Sequence, residues 1–536
     1  MRAVTLAVYL SRCRGRIGPA LDLDALAGEL TGQAEVVAVV EDLFDPETTS
    51  RMRRDVSAHG LDSVVLGGNS FDHYRRSLSG QHLREALVAC GVDSNRIITA
   101  NLLEQVALPH GDDPAGARGK ALALVRVAML RASVARPTPA EQIAPRRSVL
   151  VLGASTEGFV AAERLLRLGY EVTLADRGDA AIRARASTLA ATRSYVVGHP
   201  ATRLVSEARI ADGTGWLGDF EIVLATPDAE MRVAAGGLLL AEPHEPAWAA
   251  ELRGRFRIDV DDEGYARSLD PRTHPAETVE PGVMVVPVRA DGSNGRDKVQ
   301  AADAASLALV LALTRSTVPH VHDVSMVDDT LCGGCASCVK TCAFEACSID
   351  ADGLSHVDER RCRGCGKCVV GCPVGARDVL NSPHAYLTGA IAELSVARVP
   401  GPKVLGFLCG GCGYPAADRA GEDAAAGAGG YPASFLPLRI PCGGRLDTLY
   451  VLEAFRAGFE AVTVFRCREG HCHNVIGNLD MDRRVNLLRT VLRSRGIDDG
   501  RLRIADVSPD EGGGFVGHLE AVFAALPELS ATGGAR

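Results

Sequence analysis

The sequence predicts a multidomain α/β protein with parallel sheets. Short apolar runs alternate with helix-like segments through most of the chain, and this alternation is typical of parallel sheets covered by helices. Fourteen of the 16 cysteines lie between Cys332 and Cys472, and the cysteine-rich stretch that begins at Cys332 interrupts the alternation of strands and helices. The 536 residues leave room for roughly three or four domains. We expect Rossmann-like parallel sheets, an inserted α+β module rich in cysteine, and a flavodoxin-like α/β domain at the end.

Changes in composition set the predicted domain boundaries. An N-terminal α/β domain is predicted over residues 1–135, and a proline-containing linker separates it from a Rossmann-like domain over residues 147–322. The cysteine-rich module covers residues 323–395, and the turn Val399-Pro-Gly-Pro402 follows it. The last α/β domain is predicted over residues 403–526.

Charge and cysteine usage argue against several classes of protein. A net charge of -9 disfavours nucleic acid or an anionic membrane as the main partner. No apolar run reaches the ~18 residues that a membrane-spanning helix needs. Clustered C-x-x-C units in a large chain fit thiolate sites for soft metals in a reducing compartment better than disulfides. We therefore expect a soluble, cytoplasmic protein.

Two runs of four cysteines with the same spacing dominate the central module. Each run has the form C-x2-C-x2-C-x3-C, and Pro373 follows the second. This doubled spacing is the bacterial ferredoxin pattern, in which the fourth cysteine of each run ligates the other 4Fe-4S cluster. The predicted ligands of the first cluster are Cys332, Cys335, Cys338 and Cys372. The predicted ligands of the second cluster are Cys362, Cys365, Cys368 and Cys342.

Zinc is the alternative metal for C-x-x-C pairs, but two complete runs of four cysteines favour iron–sulfur clusters. Ala343 stands where a proline usually follows the fourth cysteine, which loosens a turn without removing a ligand. Cys347 falls outside both runs and is predicted to be a small buried residue. Cys13 and Cys90 are too few to hold a further cluster, so both are predicted to be ordinary buried residues.

Five further cysteines follow strand-like runs in the C-terminal domain. The runs are Val404–Leu408, Leu438–Ile440, Val462–Phe465 and Leu502–Ala505. Because parallel strands present their carboxyl ends at one ligand-binding edge, the cysteines after the first three runs should converge there. These are Cys409, Cys412, Cys442, Cys467 and Cys472. Such convergence indicates a metal site. A structural zinc remains an alternative, as does replacement of one thiolate by His471 or His473, as in Rieske centres.

The residues around these cysteines carry a family resemblance. Phe407-Leu-Cys-Gly-Gly-Cys-Gly-Tyr414 is followed by Cys442-Gly-Gly-Arg445 and by Cys467-Arg-Glu-Gly-His-Cys-His473. Residues 403–525 thereby resemble the delta (iron–sulfur) subunit of methyl-viologen-reducing hydrogenase. The resemblance implies one 2Fe-2S cluster, for which four ligands must come from the five cysteines. We predict that Cys412 is the spare one.

A dinucleotide fingerprint opens the second domain. A strand, a glycine turn and a helix are followed by a strand that ends at an acid, and the predicted cofactor-binding residues are Gly153, Ser155, Gly158 and Asp176. Ser155 replaces the glycine that lets the backbone approach pyrophosphate, and Glu157 adds negative charge at the helix start. Pro227 and Pro287 stand where flavoproteins usually have glycine. We expect a degenerate flavin fold without tightly bound FAD, while weaker FAD binding stays open.

The domain order carries a second resemblance. Together with residues 1–135 and 256–313, the fingerprint resembles the A subunit of heterodisulfide reductase, a flavoprotein with an attached ferredoxin module. Asn101-Leu-Leu-Glu-Gln105 and His110 support the likeness. With the hydrogenase-delta-like domain added, the layout is similar to the B subunit of the quinone-interacting oxidoreductase complex. These resemblances imply that the partners are other redox subunits of a complex.

The leading hypothesis is an electron relay that holds two 4Fe-4S clusters and one 2Fe-2S cluster. It would connect a partner oxidoreductase, such as a hydrogenase or formate dehydrogenase, to a heterodisulfide-reductase-like or quinone-linked acceptor. One alternative is an FAD-containing oxidoreductase that splits electron pairs, which bound FAD would distinguish. Another is a zinc or thiol redox sensor, which would lack iron–sulfur colour.

Overall fold

The computed structural model describes residues 4–137, 141–180, 189–241, 245–269, 274–287, 295–314, 318–320, 324–380 and 382–532. These residues form parallel α/β sheets and a small cysteine-rich α+β module, which confirms the predicted fold class. The predicted boundary between residues 322 and 323 lies outside the described residues. Within the described ranges, no helix is both long and apolar enough to cross a membrane.

The N-terminal domain is a parallel sheet covered by helices. Its strands are β1 (Leu6–Ser11), β2 (Val36–Val40), β3 (Ser63–Gly68) and β4 (Ile97–Asn101), in the order β2–β1–β3–β4. Its helices are α1 (Leu23–Leu30), α2 (Pro46–His59), α3 (Phe71–Arg76), α4 (Leu78–Val88) and α5 (Pro114–Val134). Strands β1 and β3 are buried along their whole length, as expected for central strands of a parallel sheet.

The second domain is built on a five-stranded parallel sheet. The chain enters it through β5 (Glu141–Ile143), which pairs antiparallel with β14 (Val318–His320). The main sheet contains β6 (Ser148–Leu152), β7 (Glu171–Ala175), β8 (Thr202–Val205), β12 (Gly237–Leu240) and β13 (Val283–Val285), in the order β13–β12–β6–β7–β8. An antiparallel sheet contains β9 (Arg209–Trp216), β10 (Asp219–Ala225) and β11 (Glu230–Ala235). The helices are α6 (Thr156–Arg167), α7 (Ala190–Gly198), α8 (Pro246–Arg253) and α9 (Gly295–Leu313).

The cysteine-rich module consists of two short antiparallel pairs and two short helices. The first pair is β15 (Ser325–Val327) with β18 (Arg377–Val379), and the second is β16 (Cys347–Ile349) with β17 (Ser355–Val357). The helices α10 (Ser337–Thr341) and α11 (Lys367–Val370) each contain the third cysteine of a run. Cys338, Cys347 and Cys368 form the centre of its small core.

The C-terminal domain is a four-stranded parallel sheet with helices on both faces. Its strands are β19 (Val404–Cys409), β20 (Phe435–Ile440), β21 (Ala461–Arg466) and β22 (Leu502–Asp506), in the flavodoxin-like order β20–β19–β21–β22. Helices α12 (His384–Ser395), α14 (Thr448–Arg456) and α15 (Gly477–Ser494) cover one face. Helices α13 (Gly413–Asp423) and α16 (Gly512–Thr532) cover the other. The order reverses between β19 and β21, which places the ligand-binding crevice at the ends of these strands.

The N-terminal and C-terminal domains share buried contacts. Ala123 and Val127 of α5 belong to the same apolar core as α12 and the C-terminal sheet. The buried amino group of Lys120 lies 3.0 Å from His110 Nε2 and 4.7 Å from the ring centre of Tyr431. The side chains of Asn101 and Gln105 donate hydrogen bonds to Asp418 of α13. The segment 101–110 therefore joins the two domains.

Candidate iron–sulfur sites

One cavity of the cysteine-rich module brings together the residues predicted for the first cluster. It is lined by Cys332, Cys335, Cys338 and Cys372. Three of these belong to the first run, and the fourth ends the second run. The loop that carries the first two packs against the β16–β17 hairpin, where a Cβ on Gly334 would lie 2.2 Å from the carbonyl oxygen of Gly353. The geometry fits the crossed ligand set, which itself stays a prediction.

The structure also brings Cys342 of the first run to the cysteines of the second. Cys347 hydrogen-bonds to Cys342 and to Cys368, and these bonds are the main reason that the pKa of each of the latter two falls to about 6. Cys362 lies close enough to interact electrostatically with both, and burial raises its pKa to about 11. Cys347 is buried, as the sequence suggests, and it contacts two predicted ligands of the second cluster.

All five C-terminal cysteines are buried at the carboxyl ends of β19, β20 and β21. The sulfurs of Cys409 and Cys467 lie 3.7 Å apart. Cys472 hydrogen-bonds to Cys442 and Cys467, which links the rest of the group. The start of α15 approaches so closely that a Cβ on Gly477 would lie 2.3 Å from Cys442 Sγ. Five soft thiol ligands in one buried place fit an iron–sulfur cluster, and they would also bind zinc.

One histidine joins these thiols. His473 Nδ1 lies 3.6 Å from Cys412 Sγ and 3.4 Å from Cys467 Sγ. These three ligand atoms lie within 4.8 Å of one another. Burial disfavours charge on the imidazole, yet the Cys412 thiolate and Asp259 carboxylate raise the pKa of His473 to about 10. His471 is held elsewhere, by the carbonyl of Val260 and by Asp262. The geometry therefore retains His473 alone as the alternative ligand.

The second ferredoxin site and the C-terminal site lie against each other. Cys365 packs against the buried cluster that contains Cys442, and the two thiols interact electrostatically. The next residues continue the contact: a Cβ on Gly366 would lie 2.3 Å from Cδ of Arg445. Lys367 is fully buried and forms an ion pair of 3.1 Å with Asp480 of α15. The loop of the second run is thus fixed on the C-terminal domain.

The first ferredoxin site differs because it faces outward. Cys335 is exposed. Leu331 and Val374, which flank the cysteine loops, retain 52% and 55% of their surface. Ile349, at the cavity wall, is also exposed. An apolar rim around an exposed ligand is suited to contact with another protein.

The predicted dinucleotide residues lie together after β6, but their polar groups are engaged within the chain. The buried Asp176 carboxylate accepts the N–H groups of Ala154 at 2.8 Å and Gly178 at 2.7 Å. Ser155 caps α6, and its hydroxyl donates to the carbonyl of Ala241. Glu157 is buried, 3.4 Å from the amino group of Lys298. A Cβ on Gly158 would lie 1.9 Å from the carbonyl oxygen of Gly153, so this glycine serves helix–strand packing.

The structure corrects the role predicted for Pro227. The sequence stretch before it resembles a strand of the flavin-binding sheet, but β10 pairs antiparallel with both β9 and β11. Pro227 consequently lies in the β10–β11 hairpin turn and not at the fingerprint. The strand next to β6 is β12, which ends at Leu240. Pro287 does follow β13, at the edge of the parallel sheet.

Sequence reasoning missed three buried basic residues beside the cysteines. They are Lys367, Arg377 and Arg445. Each lies inside or just after a cysteine motif. A basic residue at such a position in an acidic chain is the sequence feature that could have indicated them. Cys13 and Cys90 belong to two different apolar clusters, the first buried and the second half-buried.

The folds and the sites define a modular iron–sulfur redox protein that resembles heterodisulfide reductase A. The A subunit of the ferredoxin:CoB-CoM heterodisulfide reductase of Methanosarcina mazei is 31% identical over 301 residues, which cover 55% of this chain. The chain spans only 37% of the length of that relative. A model of a 4Fe-4S binding domain matches residues 354–376.

The C-terminal domain is the part of the chain that identifies its protein family. The model of the methyl-viologen-reducing hydrogenase delta subunit matches residues 404–530. The iron-sulfur D subunit of the vhc F420-non-reducing hydrogenase of Methanococcus voltae is 37% identical over 114 residues, which cover 21% of this chain and 76% of that protein. The corresponding vhu protein of Methanocaldococcus jannaschii is 34% identical over 128 residues, which cover 24% of this chain and 92% of that protein. The chain belongs to this hydrogenase delta-subunit family, and the resemblances to the hydrogenase delta subunit and to heterodisulfide reductase A are confirmed.

Solved structures give weaker matches. The thioredoxin reductase of Streptococcus pyogenes is 12% identical, with a TM-score of 0.16, and the match covers 59% of this chain and 99% of that one. The THI4 protein of Thermovibrio ammonificans is 13% identical with a TM-score of 0.24, and the match covers 31% of this chain and 90% of that one.

The likeness to the B subunit of the quinone-interacting complex stays a prediction.

Proposed function

We propose that this chain is an electron relay of a redox complex. Its cysteines would hold two 4Fe-4S clusters and one 2Fe-2S cluster, which supply one-electron carriers when bound. The observation that carries the proposal is the packing of Cys365 against the C-terminal thiol cluster at Cys442. This contact makes the second ferredoxin site the inner neighbour of the C-terminal site, while the first ferredoxin site faces outward.

We therefore propose that electrons pass between the C-terminal site and the second ferredoxin site, then between the two ferredoxin sites, and then between the first ferredoxin site and a partner protein. The cysteines of the C-terminal site are buried and those of the second ferredoxin site are buried or half-buried, which limits access of water and competing acceptors. The exposed rim of Leu331, Ile349 and Val374 would receive the partner. A hydrogenase or formate dehydrogenase suits the C-terminal end, whose relatives are hydrogenase subunits. A heterodisulfide-reductase-like or quinone-linked protein suits the other end.

FAD has no step in this proposal. The residues of the fingerprint do not fit tight dinucleotide binding, because Asp176, Ser155 and Glu157 are each satisfied within the chain. We propose that the second domain is a scaffold that keeps the flavoprotein fold. Arg361 pairs with Asp212 of this domain, and Arg360 lies 2.7 Å from Asp219, so the scaffold holds the loop of the second run.

Magnetic coupling tests the proposed order. A fast-relaxing reduced 4Fe-4S cluster beside a 2Fe-2S cluster should accelerate relaxation of the 2Fe-2S signal. Cys365→Ala should therefore lower the microwave power that half-saturates this signal in electron paramagnetic resonance (EPR). Cys335→Ala is the matched control, since it removes the equivalent cysteine of the other run and should leave that power nearly unchanged. An equal effect of both substitutions would show that the order is wrong.

A zinc or thiol sensor is the second candidate, and one observation favours it. Cys412, Cys467 and His473 form a compact buried group of the kind that binds zinc. Stoichiometric zinc in protein purified anaerobically from iron-rich medium would support this candidate over the relay.

A further inference from the structure

Arg377 is a buried cation that lies between the two ferredoxin sites. It is the first residue of β18 and only 5% exposed. Its side chain lines the cavity of the first site. On the other side, Nη1 lies 3.9 Å from Sγ of Cys368, a predicted ligand of the second site. One guanidinium thus faces both predicted cluster sites.

Two serines extend its hydrogen bonds to ligand sulfurs. Nη1 donates to Ser325 Oγ at 2.9 Å, and that oxygen lies 3.2 Å from Cys368 Sγ. Nη2 donates to Ser355 Oγ at 2.6 Å, and that oxygen lies 3.1 Å from Cys338 Sγ. Ser325 therefore connects the arginine to the second site, whereas Ser355 connects it to the first.

The charge of Arg377 has no acidic partner among the described residues. Its Nε also lacks a hydrogen-bond acceptor within the described part of the chain. A buried guanidinium is costly unless it is paired, so the site needs negative charge nearby. Burial alone would lower the pKa of Arg377, but the charges of Cys368, Cys347 and Cys338 raise it. Sulfur is the counter-charge that the fold provides.

We propose that Arg377 sets the reduction potentials of both 4Fe-4S clusters. This inference rests on the proposed function. Each reduction adds one electron from a redox partner and makes the site more negative, with no covalent bond formed or broken. Because net charge and hydrogen bonds to sulfur govern such potentials, a shared buried cation raises both. Because the cation acts on both sites, it raises the two potentials relative to those of the redox partners without itself adding a large difference between the two clusters.

EPR-monitored redox titration of the full chain tests the proposal. Arg377→Met should make reduction of both clusters at least tenfold less favourable, a shift of about 59 mV or more for one electron. Arg377→Lys keeps the charge without the two-armed hydrogen bonding and should shift both potentials less. Arg54→Met is the control: it removes an exposed cation from α2 of the N-terminal domain, where water screens the charge. It should leave both potentials nearly unchanged.

The serines give a second test that separates the two sites. Ser325→Ala should lower the potential of the second cluster alone, and Ser355→Ala that of the first alone. Unchanged potentials in Arg377→Met, or a shift at one cluster only, would overturn the proposal while leaving the relay intact. Should Arg377→Met lose its iron, Arg377→Lys and the serine variants decide, and unchanged potentials in all three would overturn it. A wild-type chain without 4Fe-4S signals would instead refute the proposed function.

Discussion

The fingerprint of the second domain and the cysteine sites are both cofactor motifs, but their surroundings differ. At the fingerprint, the acid at the end of β7 already accepts two backbone N–H groups, and the serine of the turn caps its own helix. At the cysteine sites, thiols from distant segments converge, and the buried cation Arg377 faces them without an acidic partner among the described residues. The polar groups of the fingerprint are satisfied by hydrogen bonds within the chain, whereas the thiols of the cysteine sites are arranged to hold a bound cluster.

This difference separates a motif whose polar groups are satisfied within the chain from sites whose groups are not. Glycine turns and buried acids also stabilise a Rossmann-like fold, so they persist for structural reasons when no dinucleotide is bound. Groups of converging thiols have no comparable structural role, because small hydrophobic residues would pack as well. The self-satisfied motif is best interpreted as scaffold, and the unsatisfied one as a site.

The largest expected effect is the loss of a whole cluster from the ferredoxin module. Cys342→Ala should remove the 4Fe-4S cluster of Cys362, Cys365 and Cys368, because the ligand sets cross over. The cluster held by the rest of the first run should stay largely intact. Cys372→Ala should do the reverse. Low-temperature EPR of the reduced variants shows which signal disappears. If each substitution deletes the cluster of its own run, the crossed assignment is wrong.

A substitution that adds one methyl group tests the C-terminal site. Gly477→Ala places a Cβ 2.3 Å from Cys442 Sγ, so the thiol must move and the 2Fe-2S content should fall to a minor fraction. Both 4Fe-4S signals should remain. Gly517→Ala in α16 is the control, since its Cβ meets nothing within 4 Å. Visible circular dichroism and iron analysis measure the loss, and full 2Fe-2S content in Gly477→Ala would contradict the placement of Cys442 in the site.

The smallest expected effect concerns the fingerprint. Asp176→Asn weakens two buried hydrogen bonds to backbone N–H groups, at a cost of ~1–3 kcal/mol. Hydrogen exchange of the peptide over residues 153–158 should therefore accelerate about tenfold without added flavin. Asp228→Asn, at an exposed hairpin position, should change nothing there. Exchange that is unchanged in Asp176→Asn would show that the carboxylate is not structural and would reopen its role as a ribose ligand.

Much of this structure was predictable, because spacing is local information. The C-x2-C-x2-C-x3-C runs and the strand–cysteine pattern of the last domain predicted which thiols share a site. Contacts made through tertiary packing were not predictable. The apposition of Cys365 and Cys442 depends on how two domains dock, and the position of Pro227 depends on antiparallel pairing that an apolar strand pattern does not reveal. Arg377 was missed because its partners, Ser325 and Ser355, are distant in sequence.

The most direct test measures iron, acid-labile sulfide, zinc and flavin in one anaerobically purified sample. The account predicts about ten iron atoms per chain, from two 4Fe-4S clusters and one 2Fe-2S cluster, with flavin far below one per chain. Stoichiometric zinc with little iron would contradict the relay. Near one FAD per chain would contradict the interpretation of the fingerprint as scaffold and would favour the flavoenzyme that splits electron pairs.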